Sequence, residues 1–120
     1  MQYLLMIYSN EQQMLGMSPA AQKAMLQDYT EFTKSIVQAG HLRAGDRLRP
    51  VATASTVRVR DGKAVVTDGP FAETREQLGG YYLVEAKNLD EALGLAARIP
   101  SARHGSIEVR PIWPPEDYPG

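Results

Sequence analysis

Two segments of this chain are apolar on both of their alternating residue sets, and that pattern limits the folds open to it more than any motif. Tyr3 to Tyr8 carries Tyr3, Leu5 and Ile7 on one set and Leu4, Met6 and Tyr8 on the other. Gly80 to Ala86 repeats the pattern, with Tyr81 and Leu83 alternating against Tyr82 and Val84. Successive strand side chains point to opposite faces of a sheet, so a strand apolar on both sets needs cover above and below it. Both segments are therefore expected in the middle of a sheet.

The intervening chain supplies cover for one side only. After a polar, methionine-containing loop, Ser18 followed by Pro19 has the form of an N-cap and first helical residue. The helix they open should run to about Ala39, with the stripe Ala21, Met25, Tyr29, Phe32 and Ile36 at spacings of three and four and Gly40 as its left-handed C-terminal cap. His41 to Arg49 reads as a weaker extended segment, which Gly45 and Pro50 mark as an edge or a bulge. Thr56 to Arg60 and Lys63 to Thr67 flank Asp61-Gly62, the pair that supplies the positive φ angles of a two-residue hairpin turn. Asn88 and Glu91 form a capping-box pattern ahead of a short helix through Ala96, which Pro100 ends. A loop from Ser101 to Gly105 leads to a last alternating strand, Ser106 to Ile112.

The element order is strand, long helix, strand, hairpin, strand, short helix, strand. That is two β-α-β halves with an inserted hairpin, the order of a ferredoxin-like α+β sandwich with both helices on one face of an antiparallel sheet. Two helices leave the other face bare, although the central strands are apolar there too. A second copy of the chain is the simplest cover, so the sequence predicts a homodimer joined sheet to sheet. Residues 1–112 make up the domain, and 113–120, with three prolines beside Trp113 and Tyr118, form an extended tail.

Composition removes several functions. The chain has no cysteine, which excludes a disulfide framework, a thiolate nucleophile and a Cys-based metal site. Thirteen basic against fourteen acidic residues, with the arginines scattered, argue against nucleic acid as a partner. The N-terminal apolar run is too short for a membrane span or signal peptide, so a cytoplasmic location without membrane association is expected. No glycine-rich phosphate loop and no Gly-x-Ser-x-Gly elbow is present, and two histidines 63 positions apart make no metal pattern. No cofactor and no metal are expected.

The run Val66-Thr67-Asp68-Gly69-Pro70-Phe71-Ala72-Glu73-Thr74, continued by Arg75-Glu76-Gln77-Leu78-Gly79-Gly80-Tyr81, is far longer than a connection between two strands requires. Together with the N-terminal strand, the Thr56 to Gly62 hairpin and the ending Gly105 to Pro111, it resembles the DGPF-type branch of the YCII-related family, and the similarity covers nearly the whole chain. The resemblance implies a dimeric α+β barrel, a possible association with an extracytoplasmic-function sigma factor, and a proposed His and Asp pair in a pocket. It supplies no established reaction. The histidine that the wider family carries near its first helix is absent, since Ser18 to Lys23 offers none.

Asp68 is the first catalytic candidate, as a carboxylate whose partial burial would raise its pKa toward that of a useful base. The competing role is an Asx turn that holds Gly69-Pro70 in place. His104, just ahead of the last strand, is its candidate partner in proton transfer, whereas His41 is assigned to capping a helix C-terminus. Arg58, sharing one hairpin face with Arg60, is a candidate clamp for a carboxylate ligand, with a solvated row as the alternative. Tyr81, Glu73 and Arg75, with Glu76 beside them as a residue that could gate a pocket, complete the ligand-binding candidates, against the plainer roles of a satisfied buried phenol and local surface ion pairs. Phe71 is expected to plug the core. Two functions stay open: a cofactor-free acid-base enzyme acting on a small organic molecule in a pocket between sheet and helices, or a non-catalytic sensor or regulatory partner, plausibly of a sigma factor, that binds through the Asp68 to Gly80 loop.

Overall fold

A computed structural model describes all 120 residues. Six strands and three helices follow in the order β1 (Gln2–Ser9), α1 (Glu11–Leu15), α2 (Pro19–Gln38), β2 (Leu42–Arg47), β3 (Ser55–Arg60), β4 (Lys63–Asp68), β5 (Gln77–Glu85), α3 (Leu89–Ala97) and β6 (Ser106–Pro111). Four strands form one antiparallel sheet in the order β2-β5-β1-β6, and β3 pairs only with β4. The fold is ferredoxin-like α+β with an inserted hairpin. The four-stranded sheet is open and does not close into a barrel within one chain.

The two segments apolar on both sets are the two central strands. Their pairing sets Tyr3 opposite Val84 and Leu5 opposite Tyr82, facing the helices, and Leu4 opposite Leu83 and Met6 opposite Tyr81, facing away. On the helix side, Tyr3, Leu5, Ile7 and Val84 join Phe32 and Ile36 of α2 and Ala92, Leu95 and Ala96 of α3 in one core, closed by Ile99. Leu5, Ile36, Ile99 and Val84 are fully buried. Each such side chain contributes roughly 1.5–3 kcal/mol by leaving water. Leu4, Met6, Tyr8 and Leu83 remain half-exposed on the bare face.

The helix ends follow from their residues. Ser18 accepts a hydrogen bond from the Ala21 N–H, and Pro19 opens α2. At the other end Gly40, at φ 79°, lets its own N–H reach the Val37 carbonyl and the His41 N–H reach that of Ile36, the paired bonds of a Schellman cap. Asn88 caps α3 through the Glu91 N–H, while the Glu91 carboxylate reaches back to the Lys87 N–H. Asp61 and Gly62, at φ 52° and 74°, make the expected hairpin turn.

Several local readings are corrected. Residues 11–15, expected as loop, form α1, because Asn10 caps it through the Gln13 N–H. Residues 100–103, also expected as loop, make a 3-10 turn, and another at Pro115–Asp117 folds the tail so that Trp113 stacks edge-on to Tyr118 at 5.8 Å. The His41 ring bonds to the Glu85 carbonyl at 2.8 Å, at the end of β5, and caps no helix.

The hairpin extends the molecule. The radius of gyration is 16.7 Å and the extents are 49 × 47 × 19 Å, against about 14 Å for a compact chain of this length. The body is a thin slab, one sheet and one helix layer deep, with β3 and β4 as a projecting arm.

Candidate functional site

The end of the sheet where β1 finishes and β5 and β6 begin is tied together by side-chain hydrogen bonds and carries an open cleft. There the Glu11 N–H donates to Gln77 Oε1 at 3.0 Å, and Glu11 Oε2 accepts from the Val51 N–H at 3.0 Å. Through its backbone N–H and its carboxylate, Glu11 thus ties the first turn of α1 both to the start of β5 and to the segment that launches the arm. Ser106 Oγ donates to Glu76 Oε1 at 2.7 Å, joining the start of β6 to the long loop. Gln77 Nε2 donates to the Thr74 carbonyl at 2.7 Å, and the Thr74 hydroxyl donates to the Glu76 carbonyl at 2.5 Å, so the end of the loop is held by its own side chains. Tyr8, Thr74, Glu76, Ser106, Ile107 and Glu108 line an open cleft of ≈ 520 Å³ at this rim.

Sequence reasoning missed Glu11 and Ser106. Glu11 had a signal, since Asn10 followed by polar residues is a helix start. Ser106 had none, because its bond to Glu76 spans 30 positions and depends on how β5 and β6 flank β1.

The named candidates are distributed unevenly around this rim. Asp68 is the last residue of β4, exposed, and its side chain makes no hydrogen bond; the turn beyond it is held by Gly69 N–H to Ala54 O at 2.7 Å and by the Thr56 hydroxyl to Gly69 O at 2.9 Å. The bonds expected of an Asx turn are thus made by other groups. His104 is exposed beside the rim, with its N–H on the Ser101 carbonyl and no bond to its ring. No hydrogen bond or ion pair joins Asp68 to His104; the histidine that faces a carboxylate is His41, 3.9 Å from Glu91. Glu73 and Arg75 are exposed on the loop without side-chain partners. Arg58 lies on the arm, with Nη2 3.5 Å from the Phe71 carbonyl, so it touches the loop backbone. Phe71 does not plug the core: it is 79% exposed, because Gly69-Pro70 turn the chain outward before it.

Tyr81 and Tyr82 take opposite faces, as alternation requires. Tyr82 packs edge-on to Phe32 at 5.4 Å and shares a 2.7 Å hydrogen bond with the Thr33 hydroxyl. Burial raises its pKa, and the Thr33 bond offsets part of that rise. Tyr81 points to the bare face and donates to Asp46 Oδ2 at 2.6 Å. That hydrogen bond, and then the charge of Asp46, raise the phenol pKa by resisting loss of the shared proton.

A second cleft, of ≈ 460 Å³, runs between α2 and the turn after α3. Arg98 lies over the Phe32 ring at 5.5 Å and bonds Ser35 Oγ, while Arg103 meets Asp28 at 3.0 Å and the Pro100 carbonyl at 3.3 Å. Of its four charged groups, Asp28 and Arg103 form an ion pair, while Arg98 and Glu31 have no opposite charge within 4 Å. Both clefts differ from the expected place for a ligand, between sheet and helices, where large side chains fill the space. No helix is long and apolar enough to cross a membrane.

Residues 1–116 match the YCII-related domain. The chain is also 39% identical over 114 residues to an uncharacterised protein of Rhizobium meliloti (strain 1021), covering 93% of this chain and 92% of that one.

Proposed function

The chain belongs to the YCII-related family, and from that premise we propose that it is a homodimeric binding protein whose Asp68 to Gly80 loop is a surface for a protein partner, of the kind a sigma factor would provide. The observation that carries this reading is Phe71, held 79% exposed at the tip of a loop whose ends are fixed by hydrogen bonds. Presenting an aromatic ring to water on an anchored turn is unfavourable for a free monomer and suits an anchor residue at an interface. Glu73 and Arg75, both free, flank it as a polar rim. The dimer rests on the bare sheet face, where Leu4, Met6, Tyr8 and Leu83 await cover.

The test is capture from extract of the native host on immobilised wild type and Phe71→Ala in parallel. A protein retained by the wild type and lost from the variant supports the reading. Recovery of the chain alone on both columns overturns it.

The rim cleft favours a second reading, a small-molecule acid-base enzyme in a cytoplasmic setting. Tyr8, Glu76, Ser106 and Glu108 converge on a space of ≈ 520 Å³, a size suited to a small organic ligand. Asp68 and His104 would have to be brought to it by loop closure or by the second subunit. NMR titration of His104 in the wild type and in Asp68→Asn decides this: a histidine pKa that moves on substitution places both groups in one site. An unchanged titration removes the pair.

A further inference from the structure

The arm has two chemically different faces. Residues opposite one another in an antiparallel pair share a face, so the register sets Val57 with Val66 and Val59 with Ala64 on one side, and Arg58 with Val65 and Arg60 with Lys63 on the other. Along its outer length the first face carries no charge, Asp68 opposite Ser55 being the one ionised group at its base, and Val57, Val59 and Val66 are 61%, 62% and 62% exposed. An isolated two-stranded hairpin is marginal in water and becomes well ordered only when an apolar face packs on something. The arm's own sheet does not provide that contact. The slab shape and large radius of gyration show it standing clear of the body.

We propose that the valine face of the arm docks on the bare sheet face of a second copy of this chain, each protomer laying its arm across the other. The proposal rests on the homodimer reading and adds the element that completes it. The occupant follows from what one chain exposes: a valine-lined arm face and, apart from it, a sheet face whose centre is Leu4, Met6 and Leu83, bordered by the paired Arg110 and Glu108 of β6. One two-fold operation covers both surfaces on both copies and leaves neither open for further growth. Three valines and an alanine alone fall well short of the roughly 800 Å² per partner that a stable interface needs. The arm therefore supplements contact between the sheets. Its opposite face, where Arg58 touches the Phe71 carbonyl, stays outward with the loop.

Because the chain has no cysteine, Val59→Cys labelled with a benzophenone maleimide carries a single photoreactive group. Mixed samples of light and 15N-labelled protein, irradiated and digested, should give mixed-isotope cross-links from position 59 to β1 or β5 residues of the bare face. Arg60→Cys, on the other side of the arm, should give several-fold fewer. Label-free variants guard against interference by the probe: Val59→Asp should weaken the dimer at least tenfold in sedimentation equilibrium, and Arg60→Asp should leave it within twofold. Same-isotope cross-links only, cross-links landing on helices or on another arm, or an intact dimer of Val59→Asp would each overturn the arm while sparing the dimer. A wild type that sediments as a monomer removes both.

Discussion

Gly105 is the position where one methyl group should do the most damage. It is the step between His104 and Ser106, where β6 begins to pair with β1 and passes against the turn beneath it. A Cβ there would overlap the Tyr8 carbonyl oxygen and lie 3.2 Å from both the Ser101 carbonyl oxygen and Ser9 Cα. All three are backbone atoms, so no rotamer change relieves the contact, and the start of β6 must move. Overpacking of this kind costs about 1–3 kcal/mol. The 2.7 Å bond from the Gly105 N–H to the Ser101 carbonyl lies at the same point, and straining it adds up to about 1 kcal/mol. Gly105→Ala should therefore lose about 1–4 kcal/mol, a large share of the about 5–15 kcal/mol typical of a domain. At about 4 °C per kcal/mol for this size, Tm should fall by about 4–16 °C. The control is Gly94→Ala in α3, where a Cβ meets nothing within 4 Å and should gain about 0.5–1 kcal/mol. Melts followed by circular dichroism at one fixed protein concentration, since the proposed dimer would make Tm concentration-dependent, should move in opposite directions. A Gly105→Ala melt within a degree of wild type would refute the close passage of β6.

Tyr29 and Ser101 share a 2.6 Å hydrogen bond, and Ser101 is only 3% exposed; Tyr29→Phe leaves that hydroxyl without its partner and should cost about 1–2 kcal/mol in urea unfolding. Burial raises the pKa of Tyr29 and of Tyr82, so the unfolded chain ionises first; their contribution is complete below about pH 10 and is lost as pH rises through the folded-state values. Urea midpoints taken upward from pH 8 should therefore drop at the alkaline end, less so in the Tyr29→Phe, Tyr82→Phe double variant. Asp46→Asn should bring the Tyr81 phenol back toward its ordinary titration by ultraviolet absorbance, because the bond to Asp46 is the main cause of its rise. Glu11→Ala removes the carboxylate that holds the Val51 N–H, and amide exchange in β3 and β4 should accelerate while the β1 and β5 amides keep their protection.

The parts of this molecule that were legible in the sequence are those decided within a few residues. The hairpin turn needs only Asp61 and Gly62, the long helix only Ser18, Pro19 and Gly40, and the central strands only their own alternation. Strand order followed from the sequence of elements, because a ferredoxin-like connection leaves few alternatives for two β-α-β halves. Phe71 marks where such reasoning stops. An aromatic between Pro70 and Ala72 reads as a buried plug when apolar character alone is weighed, yet the positive φ of Gly69 aims the chain away from the core, and one chain offers the ring no other shelter. The arm tells the same story at larger scale. The alternation of valines and arginines in β3 correctly separates two faces, but only the coordinates show that neither is covered by the body. Both departures fall on surfaces whose composition suits burial while the monomer leaves them in water, and that is the ground for proposing a second molecule there. The rim cleft differs in kind: Glu76 and Ser106 are fixed to one another by the fold of one chain, so what it presents is set without a partner, whereas Asp68 and His104 lie outside its lining and would join it only if a bound molecule or a second subunit brought them there.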